Sequence, residues 1–211
     1  MAGVEQQQQM RGKFITLEGV DGAGKSTHVP WIAEHLRQGG REVDMTREPG
    51  GTPLAEKLRA LVLSEPMDPL TETLLMFAAR ADHVRRLILP ALTRGAWVVC
   101  DRFTDATVAY QGGGKGVSAD LIRRLAQSVH PGLTPDQTLV FDCTYEVSRS
   151  RLGASGRTLD RFEAEERSFF ERVREAYRDL ARSEPGRVRI IDGSKVPDTV
   201  KVEVKNILIN N

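Results

Sequence analysis

The stretch from Gly19 to Ser26, G-V-D-G-A-G-K-S, constrains this chain more than any other. It fits G-x-x-x-x-G-K-[ST] and stands in the context that pattern needs. A short β-rich run, Lys13 to Glu18, leads into it, and a helical pattern (Val29, Ile32, Ala33, Leu36) leads out and stops at Gly39-Gly40. A strand that turns through glycines into a helix gathers backbone N–H groups around one point and adds the partial positive charge of the helix N-terminus. That is an anion site. Gly19, Val20, Asp21, Gly22, Ala23, Gly24, Lys25, Ser26 and Thr27 are therefore expected to wrap the phosphates of a nucleoside triphosphate. Lys25 would reach the β- and γ-phosphates, and the Ser26 hydroxyl would ligate Mg²⁺.

The rest of the chain reads as strands alternating with helices. Val43 to Thr46, Ala96 to Asp101, Leu139 to Asp142 and Val188 to Asp192 are short apolar runs, and the last three end in a carboxylate. Helical patterns fill Pro53 to Leu63 (Leu54, Leu58, Leu61 and Val62 on one face), Leu70 to Leu92, Phe162 to Ala181 and Val196 to Ile209. Five strands separated by helices predict an α/β fold, a five-stranded parallel sheet covered on both faces. No linker divides the stretch from 11 to 211. Residues 1 to 10, M-A-G-V-E-Q-Q-Q-Q-M, read as a disordered polar leader, with Met10 an alternative start. Ser148 to Arg161 carries Gly153, Ser155 and Gly156 among Arg149, Arg151, Arg157 and Arg161, and reads as a mobile lid.

Composition narrows the partners. Of 211 residues, Lys+Arg number 30 and Asp+Glu 29, a net charge of +1 without the basic excess a general nucleic-acid binder needs. No apolar run approaches the roughly 18–20 residues of a membrane span, and no signal-peptide pattern opens the chain, so a cytoplasmic protein is expected. Cys100 and Cys143 each close an apolar run and match no metal or redox spacing. His28, His35, His83 and His130 form no partner pattern.

Two further groups of residues suit a second anionic substrate. Arg47 follows the second strand and Arg102 the third, and strand ends of a parallel sheet share one edge with the phosphate loop. A surface ion pair is the plain alternative for either; both together favour a phosphate. Phe77 and Arg80 lie three apart on a helix, so they share a face. A ring to stack on and a guanidinium to donate hydrogen bonds suit a nucleobase, whereas a core phenylalanine beside a solvated arginine is the alternative. A base-reading N-K-x-D is missing, which weakens a GTPase reading and leaves kinases and ATP-driven switches open.

The motifs G-V-D-G-A-G-K-S-T, T-R-E-P-G-G-T, M-F-A-A-R and D-R-F-T-D-A-T-V-A-Y-Q-G-G-G, in this order, resemble those of thymidylate kinases, closest to the bacterial enzymes, over nearly the whole chain from Met10. The resemblance implies a P-loop nucleoside-monophosphate-kinase fold, commonly a homodimer, that passes a phosphoryl group from Mg·ATP to dTMP. It implies that Asp21 lies near the dTMP sugar and phosphate and that Arg47 and Arg102 hold the acceptor phosphate. Phe77 would stack on thymine, Arg80 and Thr107 would hydrogen-bond its edge, and Tyr110 would sit beside C2′ with Gln111 close by. Some members carry an arginine in the P-loop; here that loop has Asp21 and Gly22 instead, so the lid must supply it. Arg157 is the favoured candidate, ahead of Arg151 and Arg149, while Arg161 matches the family better but suits a structural role. The competing readings are another nucleoside-monophosphate kinase and a P-loop ATPase switch.

Overall fold

The computed structural model describes residues 11–154, 160, 162–163 and 165–209. In chain order the elements are β1 (Phe14–Gly19), α1 (Lys25–Gln38), β2 (Val43–Arg47), α2 (Pro53–Ser64) and α3 (Pro69–His83). The last continues through a π-helical stretch, Val84–Ile88, into α4 (Leu89–Thr93). Then come β3 (Trp97–Asp101), α5 (Thr104–Thr107) with a second π-helical stretch at Val108–Gly114, and α6 (Ala119–Val129). β4 (Gln137–Asp142), α7 (Tyr145–Ala154), α8 (Arg167–Ser183), β5 (Val188–Asp192) and α9 (Pro197–Ile209) complete the described chain.

The five strands form one parallel sheet in the order β2-β3-β1-β4-β5, as the alternation of strands and helices predicts. β1 is buried along its whole length because helices cover both faces. On one face Ile15, Leu17, Leu139 and Phe141 pack with Ile32 of α1 and Val173 and Tyr177 of α8. On the other, Phe14, Val98 and Cys100 pack with Ile88 and Phe103. The register sets Leu17 beside Asp101 and Gly19 beside Phe141, so β1 runs past the end of β3, and β1, β3 and β4 all end at the same edge of the sheet. Gly19 has φ +120, and a Cβ there would stand 2.0 Å from the Phe141 carbonyl oxygen. Only glycine lets the chain leave the sheet at that point.

Several expected elements differ. The face drawn through Leu54, Leu58, Leu61 and Val62 is turned: Ala55 and Val62 are buried, while Leu54 and Leu61 are 50% and 43% exposed. The Leu70 to Leu92 pattern is a helix from Pro69, with Asp68 Oδ1 accepting from the Leu70 and Thr71 amides, but it widens at Val84 before its last turn. The charged helix starts at Arg167, not Phe162, and buries Phe169, Val173 and Tyr177 at i, i+4 spacing. The expected lid begins inside a helix: Ser148 is buried on α7 and donates to the Asp21 carbonyl at 2.7 Å. Residues 1–10, Arg157 and Arg161 lie outside the described residues. Both cysteines are buried and free, as their apolar surroundings predict.

Candidate active site

At that edge of the sheet, the loop between β1 and α1 holds its lysine inward. Lys25 is buried, and its Nζ donates to the Gly19 and Val20 carbonyls, both at 2.9 Å. Burial and the nearby Arg102 lower its pKa, opposed by the carboxylates of Asp21, Asp101 and Glu18. An ammonium clamped to its own loop and short of counter-charge is ready for phosphate oxygens. Ser26 and Thr27 open α1 and are exposed. Asp101, at the end of β3, has a buried Oδ1 with no hydrogen-bond partner.

Arg102 follows Asp101 with φ +69, a left-handed backbone that a side chain other than glycine adopts only under constraint. Its Nη1 donates to the Gly19 carbonyl (3.0 Å) and the Tyr177 hydroxyl (3.3 Å). Its Nη2 donates to Asp21 Oδ1 (2.6 Å) and the Tyr110 hydroxyl (3.0 Å). Tyr110 in turn donates to Asp21 Oδ2 at 2.9 Å. Burial works to raise the Asp21 pKa, but Arg102, Lys25 and Tyr110 overcome it and hold the carboxyl at about 2. Beneath them Glu18 is fully buried, accepting from the Phe103 amide (2.7 Å) and the Tyr177 hydroxyl (2.8 Å). Its burial, reinforced by Asp105, pushes the pKa up to about 8.

Beside the loop opens a cleft of about 600 Å³. Asp21 and Arg102 form part of its wall, and Met76, Arg80, Thr107 and Gln111 line it farther in. Arg80 is only 3% exposed, and its Nε donates to Glu48 Oε2 at 2.6 Å. Its Nη2 donates to the Phe103 carbonyl and Thr107 Oγ1, both at 3.1 Å. Nη1 is buried and has no partner. Glu48 is held from behind by His83, whose Nδ1 lies 2.9 Å from Oε1 and whose Nε2 lies 2.7 Å from Thr46 Oγ1. Burial alone would raise the Glu48 pKa, yet Arg80 and His83 lower it.

The expected roles divide accordingly. Asp21, Arg80, Arg102, Thr107, Tyr110 and Gln111 are brought to one cleft. Phe77 is not: its ring is 2% exposed, packed 4.7 Å from the Arg80 guanidinium carbon, so it cannot offer a face to a base. Met76, one residue earlier, lines the wall instead. Arg47 is an exposed side chain paired with Glu56 at 2.9 Å. The arginine that lines the cleft from that side is Arg59, which donates to the Pro49 carbonyl at 3.0 Å and which no motif marks. Of the lid arginines, Arg151 reaches the phosphate loop, its Nη1 donating to the Gly22 (3.2 Å) and Gly193 (2.7 Å) carbonyls. Arg149 Nη1 donates to the Glu163 carbonyl at 2.7 Å instead.

The family model for thymidylate kinase matches residues 17–204. A thymidylate kinase of Bordetella pertussis is 61% identical over 194 residues, 92% of this chain and 93% of the relative. One of Methylobacillus flagellatus is 56% identical over 199 residues, 94% of this chain and 98% of the relative. The crystal structure of thymidylate kinase from Ehrlichia chaffeensis superposes with a TM-score of 0.77 at 35% identity, covering 94% of this chain and 99% of that one.

Proposed function

The chain belongs to the thymidylate kinase family, and from that premise we propose that the cleft beside the phosphate loop receives dTMP. The protein transfers the γ-phosphoryl group of ATP to dTMP, giving dTDP. The observation that carries this reading is a shared wall: Asp21 belongs to the phosphate loop and also lines the cleft, so donor and acceptor meet at one side chain.

The terminal oxygen of the dTMP phosphate attacks the γ-phosphorus in line, and the bond from that phosphorus to the oxygen of the ADP leaving group breaks. The acceptor is already ionised near neutral pH, so positioning and charge neutralisation supply the catalysis and no strong base is required. Lys25 faces the β- and γ-phosphates. Arg102, with Arg59 and Arg47 on the far side, is proposed to hold the acceptor phosphate. Arg151, already on the loop, and Arg157 are the proposed lid arginines for the charge that develops on the equatorial oxygens. Arg80 and Thr107 face the base edge, Met76 supplies an apolar wall, Tyr110 stands at the sugar, and Gln111 lines the cleft close by.

The donor set fits Mg²⁺. The Ser26 hydroxyl and the Asp101 carboxylate, with its partnerless Oδ1, are hard oxygens, and magnesium keeps water and substrate phosphates for its other positions. When bound there, the ion would supply positive charge that offsets the negative charge of the triphosphate.

A homodimer is supported by the leucines that α2 and α3 leave outward, Leu54, Leu61, Leu70 and Leu74, each 43–50% exposed. Sedimentation at the mass of a single chain would overturn that part. No helix among the described residues is long and apolar enough to cross a membrane, and cytoplasmic residence is proposed. The function is tested by following ADP release with each nucleoside monophosphate in turn. dTMP is expected to give the highest kcat/KM. Release that ignores dTMP and responds to a macromolecule would instead mark an ATPase switch.

A further inference from the structure

Gln111 lines the cleft, and its amide is not free to turn over. Its Nε2 donates to Glu72 Oε1 at 2.6 Å, and Glu72 is fully buried at the start of α3. Lys115 Nζ donates to the other carboxylate oxygen at 2.9 Å, so the buried charge is balanced. The two ends of an amide are ordinarily hard to tell apart. Here the partner decides, because an ionised carboxylate only accepts hydrogen bonds and can face only the NH₂ end. The carbonyl end must therefore look away from Glu72. Gln111 Oε1 accepts no side-chain or backbone bond from a described residue and is not sealed from the cleft.

We propose that Glu72, balanced by Lys115, is a specificity-determining positioning residue that fixes the Gln111 amide with its acceptor toward the cleft. The cleft then offers one fixed acceptor, Gln111 Oε1, beside the Arg80 side chain, which lines the same cleft and whose buried Nη1 has no partner. A pyrimidine with a ring N–H next to a carbonyl matches that pair; one with a bare ring nitrogen next to an amino group reverses both. A freely turning glutamine would serve either base. Glu72 thus excludes the 4-amino pyrimidines without touching substrate. The inference rests on the proposal that the cleft holds the base of a pyrimidine monophosphate.

The test is Glu72→Gln, close in size and uncharged, which lets the Gln111 amide turn over. KM for dTMP should rise about fivefold, the equivalent of the roughly 1 kcal/mol that one hydrogen bond is worth net. The kcat/KM ratio of dTMP to dCMP should fall by at least that factor, with kcat for dTMP within about threefold of the parent. Glu72→Asp keeps a carboxylate and should restore most of the ratio. If Glu72→Gln does not fold, Gln111→Met is read instead, and its ratio should fall similarly. A folded Glu72→Gln, or failing that Gln111→Met, at the parental ratio overturns the proposal. An effect of Glu72→Gln that persists undiminished in a Gln111→Met background also overturns it, because the action would not pass through Gln111. A parent protein without activity on dTMP would instead overturn the function on which the inference rests.

Discussion

Arg102 Nη2 lies 2.6 Å from Asp21 Oδ1, and Tyr110 closes the triangle by accepting from that nitrogen while donating to Asp21 Oδ2. With Gly19 and Tyr177 on Nη1, every Nη hydrogen of Arg102 already has an acceptor within the protein. A substrate phosphate can reach this arginine only through Nε or by displacing one of those acceptors. The same contacts hold the Asp21 carboxyl at about 2, below its ordinary value. Between that value and the ordinary one near 4, the unfolded chain binds the proton and the folded chain does not. The pair's contribution to stability is therefore complete above about pH 4 and is lost as pH falls through 2. Thermal midpoints measured from pH 4 downward should drop more steeply for the parent than for Asp21→Asn. Equal slopes would mean that Asp21 is not held ionised by Arg102.

Glu18 gives the opposite sign. Its carboxyl keeps the proton to about pH 8 in the folded protein, while in the unfolded chain it ionises in the ordinary range near 4. Across that window the folded state binds more protons, so this group makes stability decline as pH rises, and the decline ends above 8. Glu18→Gln removes the titration while leaving a carbonyl for the Phe103 amide. Its thermal midpoint, followed from pH 5 to 9, should gain on the parent up to about pH 8 and then run parallel. Parallel curves throughout would show that Glu18 is already ionised at pH 5.

How much could be read in advance depended on whether the local pattern had one physical meaning. The phosphate loop and the five strands were legible, because a glycine loop between strand and helix has few other uses and short runs of strand-forming residues alternate with helical patterns along the chain. The A-Y-Q-G-G-G stretch was harder to place. A Cβ on Gly113 would stand 2.6 Å from the Ala176 Cβ, and one on Gly114 2.4 Å from the Phe169 ring. These glycines permit close packing against α8, which local sequence does not encode. Phe77 failed for a similar reason: helix spacings of three and four both share a face with Arg80, and only packing decides that Met76 turns to the cleft. Arg59 and the Glu48–His83 pair behind Arg80 carry no local signal, since their meaning comes from contacts between distant segments.

Lys25→Met should remove phosphoryl transfer while keeping the fold. The methionine retains the apolar stem that fills the buried site and loses the ammonium that faces the phosphates. Losing one preorganised donor costs on the order of 10²–10³ in kcat, and a formal charge more. Circular dichroism should be unchanged. A variant turning over within a few-fold of the parent would remove Lys25 from the mechanism.

Substrate choice separates two kinds of discrimination. dUMP differs from dTMP by one methyl group, and an apolar wall such as Met76 can value a methyl at only about 1–3 kcal/mol, roughly 10–200-fold. dUMP should therefore be a poor but measurable substrate. Cytosine presents an amino group where thymine presents a carbonyl, leaving the Arg80 guanidinium, which lines the cleft and whose buried Nη1 has no partner of its own, facing a donor. An unsatisfied buried donor costs about 1–3 kcal/mol, and more when charged, and the lost methyl adds to it. The expected order of kcat/KM is dTMP, then dUMP, then dCMP. Arg80→Ala removes the donor and should narrow the gap to dCMP more than the gap to dUMP, since the methyl contact does not involve the guanidinium. Because that variant also leaves Glu48 without its buried partner, Arg80→Lys is the companion: it keeps a charge near Glu48 but not the planar fork. Both variants are read against dTMP, dUMP and dCMP. Parent activity on dCMP above that on dUMP would overturn the role given to Arg80.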